Sequence, residues 1–283
     1  MTAAPAESRV PGSDGTRLAV RRWPGDGVPF LLVHGLASNA RMWDGVAARL
    51  AGRGFDVTAI DQRGHGRSDK PDSGYDFDTV VADLVAVIDA LELVRPVVAG
   101  QSWGGNVVLD LAARRGDLVR GIACVDGGWI DLRRFATWDE CAQAMAPPRT
   151  AGTPRAQIET FFRSRHADWP EEGVQGALAN FEVRADDTVA PWLSFEHHLA
   201  ILRSLWEHRA VDLYPRVQVP VLLVPCDDGT AWTDAKKSQV AAAEAELPTS
   251  KTVWFRADHD VHAQHPDEIA ALFASSVDDG FWA

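Results

Sequence analysis

Val97-Val98-Ala99-Gly100-Gln101-Ser102-Trp103-Gly104-Gly105-Asn106 is the stretch on which the fold is decided. Its three opening apolar residues suit a buried strand, and the pattern from Asn106 to Arg115 suits a helix. Between them runs Gly-x-Ser-x-Gly. In a strand-turn-helix context this is the nucleophile elbow. The turn is tight and strained, so the positions two before and two after the serine must lack bulky side chains. Ser102 then projects its hydroxyl at a helix N-terminus, where the helix dipole favours developing negative charge.

Outward from this stretch the same alternation repeats. Phe30–Val33, Val57–Ile60, Ile122–Val125, Val219–Val224 and Thr252–Phe255 read as buried strands of a parallel sheet. Leu18–Trp23 is more polar and reads as an edge strand. Asp78–Leu91 carries Val80, Val81, Leu84, Val87, Ile88 and Leu91 at helical spacing, with Asp76 as N-cap. A last helix opens at His265-Pro266-Asp267-Glu268, with proline in the first turn and two acids at its positive end. Strand-helix alternation predicts a doubly wound α/β sheet. From about Trp129 to Tyr214 the rhythm breaks. That segment shows helical patches and no convincing strand, and it holds 11 of the 24 aromatic residues. It reads as a cap, with most rings forming its own core and a few lining a pocket. The first seven or so residues are expected to fray.

Composition narrows the classes. With 283 residues, 46% apolar and 24% charged, the chain is long enough for one α/β domain with an insertion and is not disordered as a whole. A net charge of −12 disfavours nucleic acid without a local basic patch. Of the 28 basic residues, 24 are arginines, and they are scattered along the sequence, so no basic patch is expected. The three cysteines lack Cys-x-x-Cys spacing, and the N-terminus lacks a basic and apolar signal pattern, so a reduced, cytoplasmic protein is expected. No apolar run approaches the ~18 residues of a membrane span.

His34-Gly35-Leu36 follows the strand Phe30–Val33. A turn there can aim the Leu36 N–H at the same oxygen that the Trp103 N–H reaches, giving an oxyanion hole from two backbone donors. The His34 imidazole itself reads as a turn-stabilising group. With His34-Gly35, Asp61-Gln62-Arg63-Gly64-His65-Gly66-Arg67-Ser68 and the Ser102 elbow in this order, the chain resembles the α/β-hydrolase superfamily over nearly its full length. The resemblance implies a mostly parallel eight-stranded sheet with helices on both faces and a helical cap insertion. The core would be 1–128 and 215–283, and the cap 129–214. It also implies that the middle motif is a structural turn and that His65 is not catalytic. Trp103-Gly104-Gly105 is most similar to the epoxide-hydrolase and haloalkane-dehalogenase branch. That branch uses an aspartate nucleophile, so Ser102 points to acyl chemistry instead.

A serine needs a neighbouring base. His259, His262 and His265 cluster near the C-terminus, and the resemblance places the base in the loop after the last strand, before a proline that opens the last helix. His259 fits best, four residues after Phe255 and seven before Pro266, with Asp258 where the family usually has glycine. His262 is the second candidate. A metal site on the three histidines is disfavoured, because positions six apart on a loop suit one ion poorly. No metal or organic cofactor is expected. For the acid that orients the base, Asp227 and Asp228 follow the strand Val219–Val224, the commonest place in the family, although Gly229 occupies the usual position. Asp126 follows Ile122–Val125, where some members of the dehalogenase branch carry their acid. It alone is flanked by an apolar strand and a glycine pair, and an ion there is costly without a partner. Asp126 is preferred, with Asp228 and then Asp227 left open.

The expected activity is that of a serine hydrolase cleaving an ester, thioester, lactone or related acyl bond of a small to medium apolar substrate through an acyl-enzyme. Two alternatives stay open. One is a non-hydrolytic or C–C bond-cleaving biosynthetic enzyme on the same triad. The other is a ligand-binding receptor or pseudoenzyme that uses the cap pocket only to bind. The expected partner is a small-molecule substrate, with neither nucleic acid nor membrane.

Overall fold

A strand whose side chains are apolar on both faces can be buried only if helices cover both sides of its sheet. The computed structural model describes residues 4–283 and shows this arrangement. The strands of the main sheet are β1 (Ala6–Pro11), β2 (Arg17–Trp23), β3 (Pro29–Val33), β4 (Asp56–Ile60), β5 (Val97–Gln101), β6 (Gly121–Val125), β9 (Val221–Val224) and β10 (Ser250–Thr252). Between β6 and β9 lies a two-stranded hairpin of β7 (Phe181–Val183) and β8 (Val189–Pro191). The eight main strands run in the order β1-β2-β4-β3-β5-β6-β9-β10. The two junctions that involve β2 are antiparallel, and β4 through β10 are paired in parallel.

The helices are α1 (Asp44–Ala51), α2 (Phe77–Ala90), α3 (Trp103–Arg115), α4 (Trp138–Met145), α5 (Arg155–Arg165), α6 (Glu171–Leu178), α7 (Phe195–Glu207), α8 (Ala231–Glu246), α9 (Val261–Gln264) and α10 (Pro266–Asp278). Two cores separate along β3. Leu31 and Val33 join Leu84 of α2 and Val107 and Leu111 of α3. Phe30 and Leu32 join Val46 and Leu50 of α1 and Phe273 of α10. Phe30 stacks on Phe273 at 6.1 Å and meets Phe55 edge-on at 5.3 Å. Each such side chain stabilises the fold by about 1.5–3 kcal/mol on burial. Asp76 caps α2 by accepting the Thr79 N–H at 2.9 Å, and Pro266 occupies the first turn of α10.

Three expectations need correction. Leu18–Trp23 is not an edge: β2 lies between β1 and β4, and β1 takes the edge, with Pro11 at its end. Ala6 and Glu7 are ordered in that pairing rather than frayed, while Met1 to Ala3 lie outside the described residues. The aromatic-rich segment between β6 and β9 is mainly helical but contains the β7–β8 hairpin, closed by Asp187 at positive φ. Three-residue strands are too short to show a period in sequence. Among the described residues no helix is long and apolar enough to cross a membrane.

Candidate active site

Parallel strands deliver their C-terminal ends to one edge of the sheet, where Ser102 follows β5, Asp126 follows β6 and His259 lies in the loop after β10. Ser102 follows β5 directly and adopts φ 54°, ψ −123°, a conformation strained for a residue with a Cβ. Its N–H donates to the Val125 carbonyl at 2.9 Å, which fixes the turn against the end of β6. A Cβ on Gly100 would lie 2.1 Å from the Gly104 carbonyl oxygen, and one on Gly104 would lie 2.5 Å from that of His34. The two glycines of the elbow are therefore required by the close approach of three backbones. Trp103 opens α3, so its N–H belongs to the first turn, which has no acceptor inside the helix.

The turn after β3 passes against this elbow: a Cβ on Gly35 would be 3.0 Å from the Ser102 Cβ. Leu36 follows, and among the described residues its N–H has no hydrogen-bond acceptor. Two imidazoles hold the turn. The Gln62 N–H donates to His34 Nε2 at 3.0 Å, so Nδ1 carries the proton and donates to the Gly35 carbonyl at 2.7 Å. The Ala37 N–H donates to His65 Nε2 at 3.2 Å, so His65 Nδ1 donates to the Arg63 carbonyl at 3.0 Å. Burial lowers both pKa values from 6.5, that of His65 well below it. Both are neutral struts.

Asp126 follows β6 directly, at φ 40°, with its side chain 1% exposed. A carboxylate this deep is costly to keep ionised. Its oxygens are satisfied by the Cys226 N–H at 2.9 Å, by Lys236 Nζ of α8 at 2.7–2.8 Å and by His259 Nδ1 at 2.5 Å. Burial pushes the Asp126 pKa up, but the His259 hydrogen bond and charge, with the Lys236 charge, outweigh it and hold the pKa below the usual carboxylate value. For His259, desolvation opposes the charge. The Asp126 hydrogen bond and charge and the nearby Asp260 prevail, and its pKa is raised above 6.5. The ring is half exposed, and with Nδ1 committed to Asp126 its Nε2 is the free face. Gln101, the neighbour of Ser102, donates from Nε2 to the His259 carbonyl at 3.2 Å and ties the histidine loop to the elbow.

The other candidates lie elsewhere. Asp228 accepts from the Thr230 N–H at 3.0 Å and the Thr230 and Thr233 hydroxyls at 2.7 and 3.1 Å, and does not bond His259. Asp227 accepts the Gly229 N–H at 3.0 Å. His262 is buried 4.2 Å from the Trp43 ring, and burial pushes its pKa down to about 3. His265 begins α10 beside Glu268 at 3.7 Å. Among the described residues no group of three or more metal-ligating side chains could hold a metal ion. Lys236 and Gln101 were not singled out from sequence. A lysine on an exposed-looking helix and a glutamine inside the elbow carry no local signal of a buried carboxylate or of a distant loop.

A cavity of about 430 Å³ is lined by Ala37 and Ser38 and by Phe162, Phe181, Trp192 and Phe195 of the segment between β6 and β9. Only some of the inserted aromatics face it. Trp129 joins the main core, while Trp169 packs with Val174 and Ala177 of α6.

Residues 28–185 match the sequence model of a family described as having the α/β hydrolase fold. A 2-(acetamidomethylene)succinate hydrolase of Mesorhizobium japonicum is 26% identical over 91% of this chain and 90% of its own length. A crystal structure of an E-2-(acetamidomethylene)succinate hydrolase superposes with a TM-score of 0.79 at 26% identity, over 97% of this chain and 99% of that one. A non-heme chloroperoxidase of Streptomyces lividans is 42% identical over 37% of this chain, a match spanning 38% of that relative's length.

Proposed function

The chain belongs to the α/β hydrolase fold family, whose relatives support hydrolase activity, and on that premise we propose that it is a serine hydrolase acting on acyl bonds. The observation that carries this reading is the 2.5 Å bond from His259 Nδ1 to a buried Asp126, one strand away from Ser102. With Nδ1 protonated, Nε2 holds the lone pair that a base needs. Ser102 Oγ attacks the substrate carbonyl carbon as His259 Nε2 takes its proton. Asp126 stabilises the imidazolium. The Leu36 and Trp103 N–H groups receive the oxyanion, and losing one such donor costs about 3 kcal/mol of barrier. The tetrahedral species collapses, His259 returns the proton to the leaving group, and an acyl-enzyme remains. Water activated by His259 then releases the acid.

In this reading residues 129–214 act as the cap over a core of 1–128 and 215–283, and Phe162, Phe181, Trp192 and Phe195 receive the apolar acyl part. A relative named for hydrolysis favours hydrolysis over elimination or C–C cleavage. Cys124, Cys141 and Cys226 are free and buried, which suits a reducing, cytoplasmic setting. The test is a panel of p-nitrophenyl esters, thioesters and lactones assayed with wild type and Ser102→Ala. Turnover of at least one class, reduced by about 10⁴-fold or more in Ser102→Ala, supports the proposal. Wild type inactive on the whole panel, or activity retained in the variant, sinks it.

A further inference from the structure

Arginines that the sequence scatters from residue 9 to residue 155 converge in the fold. Arg9, Arg17, Arg21, Arg41, Arg67 and Arg155 line one groove of about 690 Å³ between β1, β2 and the inserted helices α5 and α6. This corrects the expectation that the basic residues form no patch. The three acids that also line it are engaged. Glu7 pairs with Arg21, Asp61 accepts the Ala40 and Arg67 N–H groups at 2.7 Å each, and Glu159 pairs with Arg163 at 3.1 Å. Arg9, Arg21 and Arg41 have carboxylates within 4 Å, but Arg17, Arg67 and Arg155 have none among the described residues. The Arg67 guanidinium instead lies over the Trp192 ring, 4.6 Å from its centroid.

In a protein of net charge −12 such a positive concentration is not needed for solubility. Like charges held together repel, and a bound anion relieves that repulsion. Guanidinium forks match phosphate oxygens. The three unpaired ones come from β2, the turn after β4 and α5, so they suit charged oxygens spread over several phosphates better than a single carboxylate. The groove volume falls within the ~300–1,000 Å³ of small-ligand sites. Gly66, Phe181 and Trp192 line both the groove and the ring-lined cavity that Ala37 and Ser38 also line, so the two hollows share a wall.

We propose that this groove binds the phosphate-bearing leaving group of the substrate, an acyl thioester on a phosphorylated nucleotide-type carrier, while the acyl group passes Trp192 into the cavity. The proposal rests on the acyl-hydrolase reading above. Ser102 Oγ bonds to the thioester carbon, the C–S bond breaks, and His259 passes the serine proton to the departing sulfur. Water then hydrolyses the acyl-enzyme to the free acid.

The experiment compares one acyl group carried on coenzyme A and on N-acetylcysteamine, identical at the thioester; the truncated carrier lacks the phosphates together with the nucleoside and most of the pantetheine arm, so the arginine substitutions and the salt dependence isolate the phosphate contribution. The coenzyme A thioester should have about tenfold or more the kcat/KM of its truncated partner, and the advantage should vanish in Arg17→Gln/Arg155→Gln or as salt rises from about 0.05 to 0.3 M. The N-acetylcysteamine thioester should change less than about twofold in the double variant, since both arginines are exposed and outside the reacting centre. Equal rates on the two thioesters with no effect of the substitutions would overturn the proposal. A second arm measures adenosine 3′,5′-bisphosphate binding by calorimetry, which needs no turnover. Binding that weakens about tenfold in the double variant supports the groove. If that occurs and neither thioester is cleaved, the groove stands as a phosphate site and the hydrolase reading falls. Absence of binding removes the groove whatever the enzyme hydrolyses.

Discussion

Replacing Asp126 by asparagine should cost far more than the loss of one charge-assisted hydrogen bond. The Asn oxygen can still accept the Cys226 N–H, now 2.9 Å from Oδ1. Its amide NH₂ then faces His259 Nδ1, where Oδ2 now accepts at 2.5 Å. Two donors cannot share that contact, so the imidazole must move its proton to Nε2, where the proposed mechanism needs a lone pair to take the Ser102 proton. A hydrogen bond to a charged group contributes about 1.5–3 kcal/mol. A wrong tautomer in a serine triad costs about 10⁴-fold in kcat, or about 5 kcal/mol at 1.36 per decade. The tautomer effect therefore dominates, and kcat on an ester should fall by about 10⁴-fold. Lys236 also loses its carboxylate. Breaking a buried ion pair costs about 3–5 kcal/mol, and because the Lys236 side chain is 15% exposed and can turn to water, the destabilisation should fall at or below the lower end. Urea unfolding run beside the kinetics shows whether the variant is folded at the assay temperature. Asp228→Asn, altering only a solvated turn, should change kcat by less than about threefold. A loss in Asp228→Asn equal to that in Asp126→Asn, or Asp126→Asn within about tenfold of wild type, would refute the reasoning.

Further outcomes follow from the same contacts. In the proposed mechanism the neutral form of His259 is the base, so kcat/KM should rise with pH through its pKa, above 6.5 in wild type. Lys236→Met removes a charge that holds this pKa down and should move the acid limb to higher pH while kcat at the plateau changes little; a shift to lower pH would contradict the electrostatics. Arg63 is fully buried and bonds Asp83 at 2.6 and 2.8 Å, so Arg63→Leu should lower the urea-unfolding free energy by about 3–5 kcal/mol. A change below about 1 kcal/mol would mean that Asp83 finds other partners. Phe195→Ala should raise kcat/KM for long acyl chains relative to acetyl by about tenfold; equal effects on both would make the inserted segment scaffolding rather than a pocket wall.

What was legible in the sequence was local. The elbow at Ser102 announces itself because a strained turn restricts its own neighbours, Gly100 and Gly104. The strands β3 through β6 were readable because burial on both faces demands unbroken apolar runs. Residues that meet only through sheet order were harder. Asp126 and His259 lie 133 positions apart, and their contact depends on β6 running beside β9 and the loop after β10 returning to that edge. Asp227 and Asp228 were plausible because they also follow a strand. Their oxygens turn instead to Thr230, Thr233 and Gly229, in a local turn chemistry that competes with any distant partner. The arginine groove was invisible because its members come from five separate elements and turns, none of which is basic alone.

The most direct measurement is covalent labelling with a fluorophosphonate, mapped by mass spectrometry and followed in rate against pH. A single adduct on the Ser102 peptide, absent in Ser102→Ala and forming faster as pH rises through a value above 6.5, is the predicted result. No adduct at any pH, or an adduct on another residue with Ser102 untouched, would contradict the account.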